Sequence, residues 1–202
     1  MKLNIGKLCL FFTGAFIFFL LSCASKPHFE GQGDLCGIII DENNKPVKDF
    51  IVYCKVSDKK VPAKNPGPVK TNESGLFVIY GVPSGDYLLS GSKNNYLSID
   101  PVLYSFEDRT RIICLQTRSY KSAILRAEEL IGMGQIKEAE SLIAKINCEK
   151  DSREELYIKF YQFLLSEDKD NRVSIFKNLR KSNFPNDSFF MDFTNKLEEM
   201  LK

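Results

Sequence analysis

The sequence predicts an α+β protein: an N-terminal antiparallel β-sandwich followed by a small all-α domain of helical hairpins. Three observations carry that prediction. Between Leu35 and Gln116 lie short β-rich runs punctuated by turns, the spacing of an all-β sandwich. From Ser119 onward the apolar period lengthens to three and four residues, the period of helices. The strongest pattern lies in Glu73–Leu89, where Phe77 and Ile79 share one strand face, Tyr87 and Leu89 share another, and Gly81-Val82-Pro83-Ser84-Gly85-Asp86 lies between them. This stretch is expected to be a strand, a turn and a second strand that set their own register as a pair. A slip of one residue would turn Phe77 and Tyr87 out to water.

The first 22 residues stand apart from the fold. Lys2 and Lys7 precede a 14-residue apolar run, Leu8 to Leu21. A membrane span needs roughly 20 apolar residues, whereas this run suits a secretory leader. It ends in Leu20-Leu21-Ser22-Cys23, which resembles the lipobox of bacterial lipoproteins. The resemblance implies cleavage before Cys23 and lipidation of that residue, and several acyl chains of the palmitate type would hold the protein durably. Expected segments are therefore a leader over 1–22 and a lipidated tether over 23–34. Ala24 follows the cysteine where an Asp would resemble an inner-membrane retention signal, so the outer membrane is expected in a two-membrane organism. The tether carries Pro27, two glycines and a single large apolar residue, Phe29, and reads as a flexible spacer. The one histidine, His28, lies there with no scaffold around it.

Residues 35–117 are expected to form the sandwich. Gly37–Asp41 is the first strand, followed by a turn over Glu42–Pro46. Phe50–Val56 is the second, with Phe50, Val52, Cys54 and Val56 on one face. Ser57–Lys70, with three prolines and four lysines, reads as a surface loop. After the central pair come weaker strands at Tyr96–Ile99 and Val102–Tyr104 and a strong one at Arg111–Leu115. Gly37-x-Ile39-x-Asp41, Lys45-Pro46-Val47 leading to Phe50-x-Val52, Thr71-x-x-x-Gly75-x-Phe77-x-Ile79-x-x-Val82-Pro83-x-Gly85-x-Tyr87-x-Leu89 and Asn95-Tyr96 together resemble the carboxypeptidase regulatory-like domain. That resemblance covers about 80 residues and implies a transthyretin-like sandwich, of a kind also grouped with carbohydrate-binding folds. Asn95 stands where the family usually has Gly, a substitution that a left-handed turn tolerates. The family contributes no catalytic residues of its own.

Residues 118–202 are expected to hold five helices. Their inward stripes are Tyr120, Ile124, Ala127 and Ile131, stopped by Gly132-Met133-Gly134; Ile136, Ala139, Ile143 and Ile146; Leu156, Phe160 and Leu164 after a Ser152–Glu155 capping box; Val173, Phe176 and Leu179, ended by Ser182–Pro185; and Phe189 or Phe190, Phe193, Leu197 and Leu201. The hairpin from Ala127 through Gly134 and Ala139 to Ile146 resembles a tetratricopeptide repeat.

Little in the chain suggests catalysis. With one misplaced histidine, neither a nucleophile–histidine device nor a histidine metal site assembles. Glu128-Glu129, Glu154-Glu155 and Glu198-Glu199 fall on helices as solvated pairs. Asp41-Glu42-Asn43-Asn44 offers oxygens to calcium in principle but reads more simply as a turn. Of 28 basic residues Lys2 and Lys7 fall in the leader, leaving 26 against 26 acidic ones, a balance that argues against a nucleic-acid partner. Cys36, Cys54, Cys114 and Cys148 lack the C-x-x-C spacing of a redox pair, and Cys54 and Cys114 suit buried free thiols. Tyr53, Tyr80, Tyr96 and Tyr104 read first as packing and second as the lining of a sugar or peptide groove. Lys55, Lys59, Lys60, Lys64 and Lys70 read as a solvated cluster, with anionic head groups as the second reading. No catalytic residue, cofactor or metal is expected. The expected role is a non-catalytic binding or scaffold protein of the cell envelope, with a protein partner on the helical hairpins or, alternatively, a glycan ligand.

Overall fold

The computed structural model describes residues 29–57, 65–181 and 188–201. The leader, Cys23 and His28 lie outside them. Among the described residues the strands are β1 (Gln32–Ile40), β2 (Ile51–Val56), β3 (Val69–Lys70), β4 (Leu76–Pro83), β5 (Gly85–Ser92), β6 (Tyr96–Leu97), β7 (Ile99–Phe106), β8 (Ile112–Gln116) and β9 (Ile146–Asn147). The helices are α1 (Tyr120–Gly132), α2 (Ile136–Ala144), α3 (Arg153–Leu165), α4 (Lys169–Arg180) and α5 (Ser188–Leu201). The α+β class follows directly: strands fill the first part of the chain and five helices the second.

Two sheets face each other, ordered β4-β1-β8 and β3-β2-β5-β7. Alternation explains which side chains meet between them. Leu35 and Ile39 of β1, Phe77 and Ile79 of β4, and Ile113 and Leu115 of β8 point inward from one sheet. Val52 and Cys54 of β2 and Tyr87 and Leu89 of β5 point inward from the other, and all of these belong to one buried cluster with Phe50 and Phe106. Gly37 sits opposite Phe77 in the ladder. A Cβ there would lie 2.2 Å from the Phe77 ring, so the glycine leaves the space the aromatic fills.

The expected strands appear with shifted ends and one changed partnership. β4 and β5 do not pair with each other. β4 pairs with β1, and β5 pairs with β2 and β7. Ser84 alone separates the two strands, Gly81 and Gly85 take positive φ angles of 63° and 151°, and Pro83 brings no N–H to a ladder. The chain therefore crosses from one sheet to the other, and the two inward stripes meet across the core instead of side by side. Alternation marks the buried face of each strand but cannot distinguish a hairpin from a crossing. The Tyr87 hydroxyl donates to the Pro83 carbonyl at 2.7 Å, bracing the crossing from inside, and the side chain is fully buried. Burial, with a smaller contribution from Cys54, pushes its phenol up to about 12.

A second departure is that the first sheet is mixed. β8 runs parallel to β1, pairing Cys36 with Ile112 and Ile40 with Gln116. β7 ends near the start of β1, so a chain that turns straight into β8 must run alongside β1 in the same direction. At the opposite end of the sandwich the Thr71 hydroxyl accepts from Phe50 N at 2.9 Å and donates to Val47 O at 2.6 Å. Gly75 adopts φ +70°, where a Cβ would meet Ile39 O at 2.6 Å. These two residues hold the β1–β2 connection against β4.

β1 begins five residues before the expected first strand, and the expected flexible spacer is packed over its last residues. Phe29 meets Phe106 edge-on at 5.0 Å, and the Arg109 guanidinium lies 4.5 Å above its ring. Half of the Ser57–Lys70 loop, residues 58–64, lies outside the described residues, but its end forms β3 against β2. Cys54 is buried as expected, whereas Cys114 is exposed because odd-numbered neighbours Ile113 and Leu115 take the inward positions of β8. Cys36, Cys54, Cys114 and Cys148 are free thiols.

Each helix packs against its neighbour in sequence. α1 buries Ala123, Ala127 and Leu130, a stripe rotated from the expected one, with Tyr120, Ile124 and Ile131 at its margin. Small residues at the crossing with Ala139 of α2 let the two axes approach closely. Ile146 is buried as expected but belongs to β9, not to a helical stripe. α3 opens on a cap in which Ser152 Oγ accepts from Glu155 N at 3.1 Å, while the Glu155 carboxylate accepts from Asp151 N at 2.6 Å. Of its expected inward residues, Leu156 and Phe160 pack half-buried against the cluster of α4 and α5, whereas Leu164 is 36% exposed. Ile158 and Leu165 join the cluster of α1 and α2, while Phe163 joins that of α4 and α5. A helix buried on two sides has no single apolar stripe to read. Phe176, Leu179, Phe190 and Leu197 are buried as expected.

Replacing Tyr87 with Phe removes the brace while leaving the ring. The variant is expected to lose about 1 kcal/mol in urea unfolding, the usual net contribution of one intramolecular hydrogen bond, with far-UV circular dichroism unchanged. An unaltered midpoint would show that Pro83 O needs no internal donor.

Candidate functional site

The sandwich has two chemically distinct ends, and a cavity lies at or beside each. At the first end are the start of β1, the β4–β5 crossing and the β7–β8 turn. Beyond the Phe29 contacts, Arg109 donates to Glu30 O at 2.7 Å, Ser84 Oγ donates to Phe29 O at 3.0 Å, and Gly81 N donates to Asp34 Oδ1 at 3.1 Å. A cavity of about 720 Å³ opens here, with Phe29, Arg109 and Arg111 among acidic neighbours Glu30, Glu107 and Asp108. These contacts bind the incoming chain to the sandwich end. Their mixed charge provides no consistent field for a ligand.

The second end carries the helices. Asn95 takes φ +65° as its expected left-handed turn. Its N–H donates to Asn147 O at 2.6 Å and its carbonyl accepts from Tyr120 N at 2.8 Å, so one turn residue joins strand and helix. β6 pairs with β9, Leu97 N donates to Arg118 O at 2.9 Å, and Ser98 N donates to Lys145 O at 2.9 Å. Thr117 Oγ1 donates to Leu97 O at 2.6 Å. The Glu42 carboxylate accepts from both Ser119 N, at 2.9 Å, and Ser119 Oγ, at 2.6 Å. Burial alone would raise the Glu42 carboxyl, but the two Ser119 bonds outweigh it, with help from Arg118, and hold it below the ordinary carboxylate range.

Beside this junction, α1 and α2 and the segment after β8 enclose an open groove of about 560 Å³. Arg118, Arg126, Lys137 and Lys145 contribute cations around a floor of Leu130 and Leu142, and Glu138 and Ser141 stand at the rim. Arg126 is paired with Glu129 at 2.8 Å and Lys145 with Asp100 at 2.6 Å. Arg118 donates to Ser122 Oγ at 3.4 Å. The helical surface expected to meet a partner thus includes a basic, partly apolar groove. The sequence showed no clustered basic face because these four cations come from a linker, two helices and the residue that ends α2, spaced 8 to 11 residues apart.

The structure disperses the other candidates. Tyr53 is 40% exposed on β2 and Tyr80 is 76% exposed on β4, in different sheets, so the four tyrosines line no common groove. Tyr96 and Tyr104 pack half-buried against the sandwich core. Asp41 is a turn residue whose carboxylate accepts from Asn43 N at 2.8 Å and Lys45 N at 2.9 Å, and Glu42 is engaged by Ser119. Lys59, Lys60 and Lys64 lie outside the described residues; Lys55 and Lys70 are exposed on β2 and β3. Among the described residues no group of three or more His, Cys, Asp or Glu is placed to hold a metal. None of the described helices is long and apolar enough to cross a membrane.

No family model and no curated protein matches the chain. Among solved structures, a streptococcal ancillary pilin is similar at 13% identity and TM-score 0.37, over 44% of this chain and 30% of that one. A D312A variant of BcpA, the major pilin subunit of Bacillus cereus, gives 17% and 0.36 over 42% and 29%. GBS52, the minor pilin of Streptococcus agalactiae, gives 14% and 0.36 over 44% and 45%. This chain spans less than half the length of each. Likeness of that degree assigns no function.

The Glu42–Ser119 contact sets a pH dependence. A carboxyl whose pKa is depressed by folding stabilises the protein above the ordinary carboxylate range, and that contribution disappears as the pH falls through the depressed value. Stability is expected to fall as the pH drops below the ordinary Glu value of about 4.3, and Glu42→Gln is expected to flatten that fall. Urea midpoints measured across the range check this; parallel curves for the two chains would assign the acid sensitivity elsewhere.

Proposed function

We propose that this chain is a lipid-moored, non-catalytic envelope protein that holds a helical body away from the bilayer for a protein partner. The observation that supports the reading is the polarity of the sandwich. The incoming chain is fastened at the Phe29 end, whereas the helices emerge from the end of β8, which runs parallel to β1. The nine residues of β1 separate the two ends by about 30 Å. Five residues lie between Cys23 and Phe29, a reach of at most about 20 Å. A lipid on Cys23 would therefore keep the Phe29 end near the membrane and leave the helices outermost. The lipobox-like Leu20-Leu21-Ser22-Cys23 supplies the anchor, and Ala24 points to the outer membrane in a two-membrane cell.

This reading also accounts for where polar groups are used. The junction carboxylate, hydroxyls and turn amides are engaged in joining sandwich to helices, a rigid connection suited to display.

Mass spectrometry of the chain purified from membranes tests the anchor. The expected product begins at Cys23 and carries a diacylglyceryl group, and Cys23→Ser is expected to release the protein from the membrane fraction. An unprocessed Met1 in a soluble fraction would overturn the reading.

A further inference from the structure

The groove at the junction is unevenly supplied with counter-charge. Two of its four cations already have anionic partners, Arg126 with Glu129 and Lys145 with Asp100. Lys137 is exposed and has no ion pair among the described residues. Arg118 has a single long bond to Ser122 Oγ, and its charge also favours the ionised Glu42 carboxyl. Between these cations the floor is apolar, formed by Leu130 and the half-buried Leu142. A ligand that suits this surface needs carboxylates at its edges and aliphatic groups beneath them.

We propose that the groove docks an acidic, leucine-type segment of a protein partner, with Lys137 and Arg118 as the first cations engaged. The proposal deepens the display reading by naming the chemistry of the partner and rests on it. No aromatic side chain lines the groove, so it lacks the stacking platform that single-stranded nucleic acid or a sugar ring would use. The groove also lies at the sandwich end remote from Phe29, which separates it from the head groups of the anchoring bilayer. Asp100 and Glu129 are internal competitors: each carboxylate occupies a cation that an incoming carboxylate would otherwise contact.

The test uses the full chain in detergent micelles and a fluorescein-labelled amphipathic peptide of Glu and Leu, read by anisotropy at low and physiological salt. Binding is expected, weakening with salt. Lys137→Glu and the double variant Arg118→Gln/Lys137→Gln are each expected to raise the apparent Kd about tenfold. Asp100→Asn is expected to lower it by freeing Lys145. Melting curves accompany every variant; Lys137 is exposed, so its variant tests the groove even if loss of Arg118 disturbs the fold. Absence of peptide binding at low salt, equal binding of a Lys-for-Glu peptide, unchanged affinity in Lys137→Glu, or preferential binding of an oligonucleotide or phosphatidylglycerol vesicles would overturn the assignment. The assay reads the groove whether or not Cys23 carries a lipid, so its failure is distinct from failure of the mooring.

Discussion

The crossing between β4 and β5 is the constraint on which the rest of the molecule depends. It places two consecutive, strongly patterned strands in opposite sheets, so that Phe77 and Ile79 confront Tyr87 and Leu89 across the core. Gly81, Pro83 and Gly85 make the bend sterically accessible, and the Tyr87–Pro83 hydrogen bond ties it to the interior. Once that crossing is made, β5 is available to both β2 and β7, while β4 serves as one edge of the sheet built on β1. The return through β7 then delivers β8 alongside β1 in parallel. The place where the helices leave the sandwich follows from this route.

That exit point gives the molecule its direction. The chain enters near Phe29, Phe106 and Arg109 and leaves near Asn95, Thr117 and Ser119. The two ends do different physical work. At the entry, aromatic and cation–π contacts fasten a segment that composition alone marks as a spacer. At the exit, backbone pairing between β6 and β9 and the Glu42 carboxylate couple helices to strands. A peptide link alone would leave the helical region free to rotate, whereas these bonds oppose rotation.

Much of this was legible in the residues. Alternation located the inward positions Phe50, Val52, Cys54, Phe77, Ile79, Tyr87 and Leu89 because one face of each sheet is buried, whereas in the continuous apolar run of β8 it did not tell Cys114 from its inward neighbours. The spacing Thr71-x-x-x-Gly75 has a physical basis in a hydroxyl that bridges Phe50 N and Val47 O and a glycine pressed against Ile39 O. Asn95 was readable as a left-handed residue. Strand partnership was not, because Phe77 and Tyr87 would be buried equally in a hairpin or in a crossing. β3 and β9 have two residues each, too few for any period to register. α3 packs on both flanks, so no single stripe marks its core, and Phe163 is buried where the patterned Leu164 is exposed. The groove cations form no pattern in the sequence because they come together only when α1 folds against α2 beside the end of β8.

The polarity proposed for a lipid-moored molecule is the central claim, and energy transfer measures it most directly. A fluorescent residue introduced at exposed Glu30 or at Met133, on the full chain reconstituted into vesicles carrying an acceptor lipid, reports the distance of each end from the bilayer. The account predicts strong transfer from position 30 and weak transfer from position 133. Equal transfer from both positions, or stronger transfer from the helical end, would contradict it.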